Sequence, residues 1–178
     1  NYLINPGELD PGANPNITSV KTQKENGLET GLYIEDEIEL GPKLLITGGV
    51  RYSSFMNLGP GSYREYAPGL PRDEISLIDT VFVTGKKIMN SYGGFEPRFG
   101  LRYQLDEQKS IKIGYNLMRQ YLQVVTNTTT PLPTSRWKTS DGYIKPQVST
   151  LYTIGYFQEL EQKIYEFSVE TYLRLTKN

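Results

Sequence analysis

Two stretches of this chain alternate apolar and polar residues with a strict period of two, and that pattern constrains the fold more than any other feature. From Phe95 to Leu105, the apolar set is Phe95, Pro97, Phe99, Leu101, Tyr103 and Leu105, interleaved with Glu96, Arg98, Gly100, Arg102 and Gln104. From Tyr165 to Leu175, Tyr165, Phe167, Val169, Thr171, Leu173 and Leu175 interleave with Glu166, Ser168, Glu170, Tyr172 and Arg174. Successive side chains of a strand point to opposite faces, so each stretch has one apolar and one charged face.

Four more segments read the same way, giving six long strands: Leu28 to Leu40, Lys43 to Phe55, Phe95 to Leu105, Lys109 to about Val124, Gln147 to Gln158, and Lys163 to Thr176. Punctuation at Gly41-Pro42, Asp106-Glu107-Gln108 and Glu159 to Gln162 separates them in pairs. Between the pairs lie long stretches rich in Pro, Gly, Thr and Ser, so short and long connections alternate. Every tight turn then falls at one end of the sheet and every long loop at the other, as in outer-membrane barrels. A Greek-key sandwich would need a connection that skips a neighbouring strand. A strand of about 13 residues tilted by about 40° rises roughly 33 Å, more than the roughly 25 Å apolar band of such a barrel. Ordinary soluble strands have only about 5 to 6 residues. The expected fold is all-β: an antiparallel up-and-down meander of about six long strands. Within it, 1–26 is an outer loop, 28–56 a hairpin, 57–92 a long outer loop, 93–124 a hairpin, 125–146 an outer loop and 147–177 a hairpin. In the first long loop, Ser76 to Thr84 is expected to form a short extra hairpin arm, since Ile75, Leu77, Val81 and Val83 are strand formers.

Composition closes several routes. The 178 residues hold no cysteine and no histidine, which removes disulfides, thiolate and imidazole metal sites and the usual nucleophile–base pairs. No catalytic, metal or cofactor-binding residue is expected, and no enzyme activity. A net charge of −1 does not suit a nucleic-acid partner. No apolar run is long enough for a transmembrane helix. A mean hydropathy of −0.48 is compatible with a barrel, because only every second residue would face lipid. The chain opens on turn-rich Asn5-Pro6-Gly7, Asp10-Pro11-Gly12 and Asn14-Pro15-Asn16 and stops at a strand end, and is read as a piece of something longer.

Two charges break the apolar faces: Asp36 near a tight turn and Arg119 toward a loop end. Charge on the lipid side costs about 2–4 kcal/mol at the midplane and little near the interface. Both residues must then sit near a headgroup region, or a bulge must turn them inward.

Gly94-Phe95-Glu96-Pro97-Arg98-Phe99-Gly100-Leu101-Arg102-Tyr103, followed by Ser110-Ile111-Lys112-Ile113-Gly114-Tyr115-Asn116, resembles the barrel part of TonB-dependent outer-membrane receptors of the Bacteroidetes type. Met118-Arg119-Gln120-Tyr121-Leu122, Tyr143-Ile144-Lys145-Pro146-Gln147, and Tyr33-Ile34-Glu35-Asp36-Glu37 with Gly49-Val50-Arg51-Tyr52 extend the resemblance over most of the chain from about Leu28. It implies a fragment of a C-terminal barrel of about 22 strands with a plugged lumen, in the bacterial outer membrane. Such a receptor imports a scarce nutrient such as an iron chelate (siderophore), cofactor or glycan. Its partners would be outer-membrane lipid, the plug domain of the same parent chain, a TonB complex reached through segments outside this sequence, and the small-molecule ligand.

Candidate residues follow. Arg51, Glu96, Arg98, Arg102, Glu166 and Glu170, with Arg174, form the charged face and are expected to face the lumen, where they line a solute path, bond a plug, or simply sit in lumen water. Tyr63, Arg64 and Tyr66 in the first long loop and Arg136, Trp137 and Lys138 in the second mix rings with cations, a combination suited to ligand contact and equally to ordinary loop packing. Tyr52, Tyr103, Tyr115, Tyr121, Tyr156 and Tyr165 lie at apolar-face positions suited to interface girdles. Glu35, Glu37 and Glu39 could suggest calcium, but alternation beside a turn explains them more simply. Asn127-Thr128-Thr129 matches a glycosylation sequon, read as chance in a bacterial protein. Two other functions compete: a soluble β-sandwich glycan-binding module, whose apolar faces would pack on another sheet, and a small-barrel outer-membrane enzyme, which would need an unusual nucleophile–base set.

Overall fold

The computed structural model describes residues 1–4, 8–9, 20–21, 24–125, 136–160 and 164–177. Its strands are β1 (Tyr2–Ile4), β2 (Glu8–Leu9), β3 (Val20–Lys21), β4 (Glu25–Leu40), β5 (Leu44–Leu58), β6 (Gly61–Tyr66), β7 (Leu77–Val83), β8 (Ile88–Asp106), β9 (Lys109–Gln120), β10 (Leu122–Val125), β11 (Arg136–Thr139), β12 (Gln147–Leu160) and β13 (Tyr165–Lys177). Among the described residues no helix is long and apolar enough to cross a membrane, which says nothing about crossing by strands.

One sheet runs β1-β4-β5-β8-β9-β12-β13, while β2–β3, β6–β7 and β10–β11 are separate two-stranded ribbons. With those ribbons set aside, the six long strands are neighbours in space in chain order. This is the expected antiparallel meander. Residues 41–43 turn β4 into β5, with Gly41 at φ 71°, a conformation that costs glycine nothing.

Several strand limits differ from those expected. Tyr2–Ile4, placed in an outer loop, pairs with Glu25–Gly27, and β4 accordingly begins before Leu28. Three residues are too few to show a period. The strand expected from Phe95 begins at Ile88, because the polar and glycine-rich run from Asn90 to Gly94 carries no alternation. The strand expected to reach Val124 ends at Gln120, and Leu122–Val125 pairs instead with Arg136–Thr139. The arm in the first long loop exists as β7, paired with a strand the alternation did not reveal, Gly61–Tyr66. The Asn127-Thr128-Thr129 sequon, the three N-terminal turn motifs and residues 161–163 of the last turn lie outside the described residues.

The chain divides into two compact units. One contains residues 1–29, 55–92 and 122–145, the other residues 30–54, 93–121 and 146–178. In the first, Phe55 is fully buried, with its ring 6.3 Å from that of Tyr2. That ring occupies the space a side chain at residue 27 would need: a Cβ on Gly27 would lie 2.7 Å from it. In the second unit the buried groups are mostly polar: Ser53, Glu96, Ser110 and Ser149, together with Tyr121. Its apolar side chains are uncovered instead, among them Phe95, Ile154, Phe167, Val169 and Leu173. Folding ordinarily places such residues inside, so an apolar surface this extensive marks an interaction face.

Candidate functional site

The wall of the second unit is built by four adjacent strands, β8, β9, β12 and β13, whose register is regular from the Tyr103 row to the Phe99 row. Tyr103, Ile111, Tyr156 and Val169 lie in one cross-strand row; Leu101, Ile113, Ile154 and Thr171 in the next; Phe99, Tyr115, Tyr152 and Leu173 in a third. Leu117, Thr150 and Leu175 continue the same face. Opposed residues share a face, so alternation along each strand becomes a continuous apolar surface across the sheet. Aromatic pairs stiffen it: Tyr115 and Tyr152 rings are 5.3 Å apart, and Tyr52 and Phe95 meet edge-on at 5.1 Å. On β9 this face carries no charge from Lys109 to Arg119, ten residues on. Lys109 is paired with Asp106 at 3.2 Å. In the adjoining turn, backbone hydrogen bonding, chiefly from Gln108, holds the Asp106 carboxyl below the usual aspartate range. Asp36, the other charge expected to disturb the face, is exposed and accepts the N–H of Glu37.

The opposite face carries the charged residues in three different states. Glu96 is only 3% exposed. Its carboxylate accepts from Ser53 Oγ at 2.7 Å and from the Arg119 N–H at 3.1 Å, and lies 3.9 Å from the Arg51 guanidinium. The sequence puts it on the lumen-facing side, to line a solute path, bond a plug or sit in lumen water; in the structure it is the centre of a buried knot. Tyr121 belongs to that knot, with its hydroxyl 2.7 Å from Ser53 Oγ. This corrects the expected apolar-face position of Tyr121: the ladder ends at Gln120, which frees the next residue from the pleat. The second group is half-exposed. Arg98 pairs with Glu35 at 3.4 Å, Arg102 donates to Gln104 Oε1 at 3.0 Å, and Arg174 donates to Ser149 Oγ at 2.8 Å. The third group, Glu166 and Glu170, is exposed on β13, where they lie opposite Glu159 and Gly155. A hollow of about 330 Å³ is lined by Glu35, Thr47, Arg98, Gly100, Asn116 and Thr153 among others.

In the first unit the loop candidates are brought partly together. Lys138 lies between Glu25, which it contacts closely, and Asp141 at 3.1 Å. The Thr139 N–H and hydroxyl both donate to Glu25 Oε2, at 2.8 and 2.7 Å. Burial alone would push Lys138 down, but the two carboxylates outweigh it and hold the ammonium above the ordinary lysine value. Asp141 also folds its own loop, accepting the N–H groups of Tyr143 and Ile144 at 2.8 Å each. Its backbone carbonyl accepts the Tyr92 hydroxyl at 2.6 Å; burial, then the Asp141 charge, raise that phenol above its usual range. Tyr143 is the second anchor: its hydroxyl donates to the Arg64 carbonyl, its ring meets Tyr66 edge-on at 5.7 Å, and Arg72 lies 4.4 Å over it. Tyr63 pairs with Val81 in the β6–β7 ribbon. Trp137, opposite Val124, is 55% exposed. The Arg136 backbone pairs with Val125.

Glu25, Arg72 and Asp141 were not singled out from sequence, and Tyr143 entered only as part of a resemblance motif. Asp141-Gly142 is a turn signal that could have drawn attention to that loop. Glu25 lies 113 residues from Lys138, and no local pattern could have joined them.

Among the described residues no group of metal-ligating side chains is assembled. What the second unit assembles is a single wall with an apolar face that is uncharged between the Lys109 and Arg119 rows and an opposite face that carries the charged residues, and what the first assembles is a pinned loop cluster. No curated protein and no solved structure matches the chain. The family model described as TonB dependent receptor-like, beta-barrel, matches residues 2–178. The chain belongs to the TonB-dependent receptor β-barrel family, as a segment of its barrel.

Proposed function

We propose that this segment works in the bacterial outer membrane as wall and outer loops of a receptor that imports a scarce nutrient, with lipid on the apolar face and a wet lumen on the other. The observation that carries this reading is the width of the uncharged band. Ten residues from Lys109 to Arg119 span about 33 Å along a strand, or about 25 Å at a 40° tilt, which is the height of the apolar band of an outer-membrane barrel. The uncovered apolar rows speak against the soluble sandwich, in which a second sheet would cover them. In this reading Arg51, Arg98, Arg102, Glu166 and Glu170 face the lumen and the plug domain of the parent chain, while Glu96 braces the wall behind them. Tyr63, Arg64, Tyr66 and Trp137 present the outer contact surface; the Arg136 side chain lies outside the described residues. Lys138, committed to Glu25 and Asp141, holds the ribbon that displays Trp137. The ligand class stays as the resemblance implies it: an iron chelate, cofactor or glycan, with TonB supplying energy through other segments.

This segment has no cysteine, so single cysteines placed in it report topology once any cysteines elsewhere in the full-length protein are replaced. With the full-length protein expressed in cells, Trp137→Cys is expected to react with a membrane-impermeant maleimide on intact cells. Glu107→Cys, in the β8–β9 turn, is expected to react only after the outer membrane is permeabilised. Labelling of Glu107→Cys on intact cells would contradict the orientation.

A further inference from the structure

We propose that Arg72, held over the Tyr143 ring, is a binding site for the carboxylate of an organic anion arriving at the outer loops. The inference rests on the outer-loop reading above and names the chemistry of the ligand group met there. Arg72 lies in the 67–76 tip that joins β6 to β7, and that tip is closed on itself. The Ala67 N–H donates to the Ser76 carbonyl at 2.8 Å, and Asp73 Oδ1 accepts the N–H groups of Ile75 and Ser76, both at 3.0 Å. The Ser76 hydroxyl donates to the carbonyl of Pro71, the residue before Arg72. The backbone that carries Arg72 is thus fixed on both sides, and the neighbouring Asp73 carboxylate is engaged by its own turn.

The side chain is held as well. Its guanidinium carbon lies 4.4 Å from the centroid of the Tyr143 ring, a cation–π contact. Tyr143 is itself fixed at three points. Its N–H donates to Asp141 Oδ1 at 2.8 Å, its hydroxyl donates to the Arg64 carbonyl, and its ring meets Tyr66 edge-on at 5.7 Å. Arg72 is nevertheless exposed, and its side chain forms no hydrogen bond or ion pair among the described residues. A guanidinium carries five N–H donors in a planar fork, so a cation seated over a ring keeps donors for a ligand. A planar carboxylate matches that fork with two parallel bonds. Because the cation is already positioned in the free protein, little side-chain freedom is left to lose on binding. The exposed part of the Tyr143 ring adds surface for the carbon skeleton of the ligand. An organic anion therefore matches both parts of the site, whereas an inorganic ion would match the cation alone.

The test uses the full-length protein in detergent and follows phenylglyoxal modification of individual arginines by mass spectrometry, with citrate as the probe. Citrate at about 10 mM is expected to slow modification of Arg72 roughly tenfold, the protection that a Kd of about 1 mM gives. Trimethyl citrate, the same skeleton without charge, is expected to give none. Arg64, exposed on the same ribbon, is expected to be protected less than about twofold. Tyr143→Leu removes the ring but no charge and is expected to cut the protection of Arg72 to about twofold. Tyr143→Phe keeps the ring and is expected to keep the protection, which guards against a loop disturbed by the leucine variant. Unchanged modification of Arg72 in citrate, equal protection by the trimethyl ester, or full protection in Tyr143→Leu would overturn the site. So would stronger protection by inorganic phosphate at the same concentration, which would make it a free-anion site. Labelling of Arg72→Cys on intact cells with an impermeant maleimide separates this failure from a wider one. If it labels while citrate gives no protection, only the anion site is lost; if it does not label, the outer-loop reading itself falls.

Discussion

An arginine at Ile154 is expected to cost about 2–4 kcal/mol of folding stability in lipid, while one at Ser168 costs less than about 1 kcal/mol. Ile154 sits between Ile113 and Thr171 in the middle of the uncharged band, four residues from the Gln158 row and six from the Val148 row. Its side chain is half exposed on that face. An arginine there would have to reach roughly 10 Å along the barrel axis to find the nearer interface, further than snorkelling carries it without thinning the bilayer. Ser168 lies opposite Phe157 on the other face and is exposed. Equilibrium unfolding of the full-length protein in lipid vesicles with increasing urea measures both. Equal costs at the two positions would mean that the faces meet the same solvent.

Glu96→Ala is expected to lower stability by about 2–4 kcal/mol, with most of the loss from groups it leaves unpaired. Ser53 is buried and loses the acceptor of its hydroxyl, and the Arg119 N–H loses a charged acceptor. Tyr121, buried against Ser53, would have to reorganise with it. The Arg51 contribution is the smaller part, because that side chain is 37% exposed and solvent screens the 3.9 Å pair. Glu96→Gln retains an acceptor oxygen and is expected to lose only about 1 kcal/mol. The same unfolding measurement orders the three proteins. A Glu96→Ala variant as stable as wild type would show that the knot is dispensable.

The fold was legible in the sequence where structure is local. Period-two alternation is written into consecutive residues, so the faces of Phe95–Leu105 and Tyr165–Leu175 could be read directly, and tight turns at Gly41-Pro42 and Asp106 to Gln108 followed from their residue types. Contacts that close over long separations were not legible. Gly61–Tyr66 becomes a strand only because β7 pairs with it, and Tyr2–Ile4 only because β4 does. Among the loop candidates, Lys138 is engaged by a carboxylate that no spacing rule connects to it. Glu96 obeyed the alternation and still differed in state from Arg98, since burial depends on Ser53 and Tyr121 arriving from two other segments.

On the lipid-facing reading, one face of this wall meets lipid and the other water. A nitroxide scan along Tyr165–Leu175 of the full-length protein in bilayers tests it most directly, reading collisions with oxygen against those with a water-soluble nickel complex. A period of two is expected, with oxygen contact high at Phe167, Val169, Thr171 and Leu173 and nickel contact high at Ser168, Glu170 and Tyr172. Oxygen contact without that period, or nickel reaching the first set as readily as the second, would contradict it.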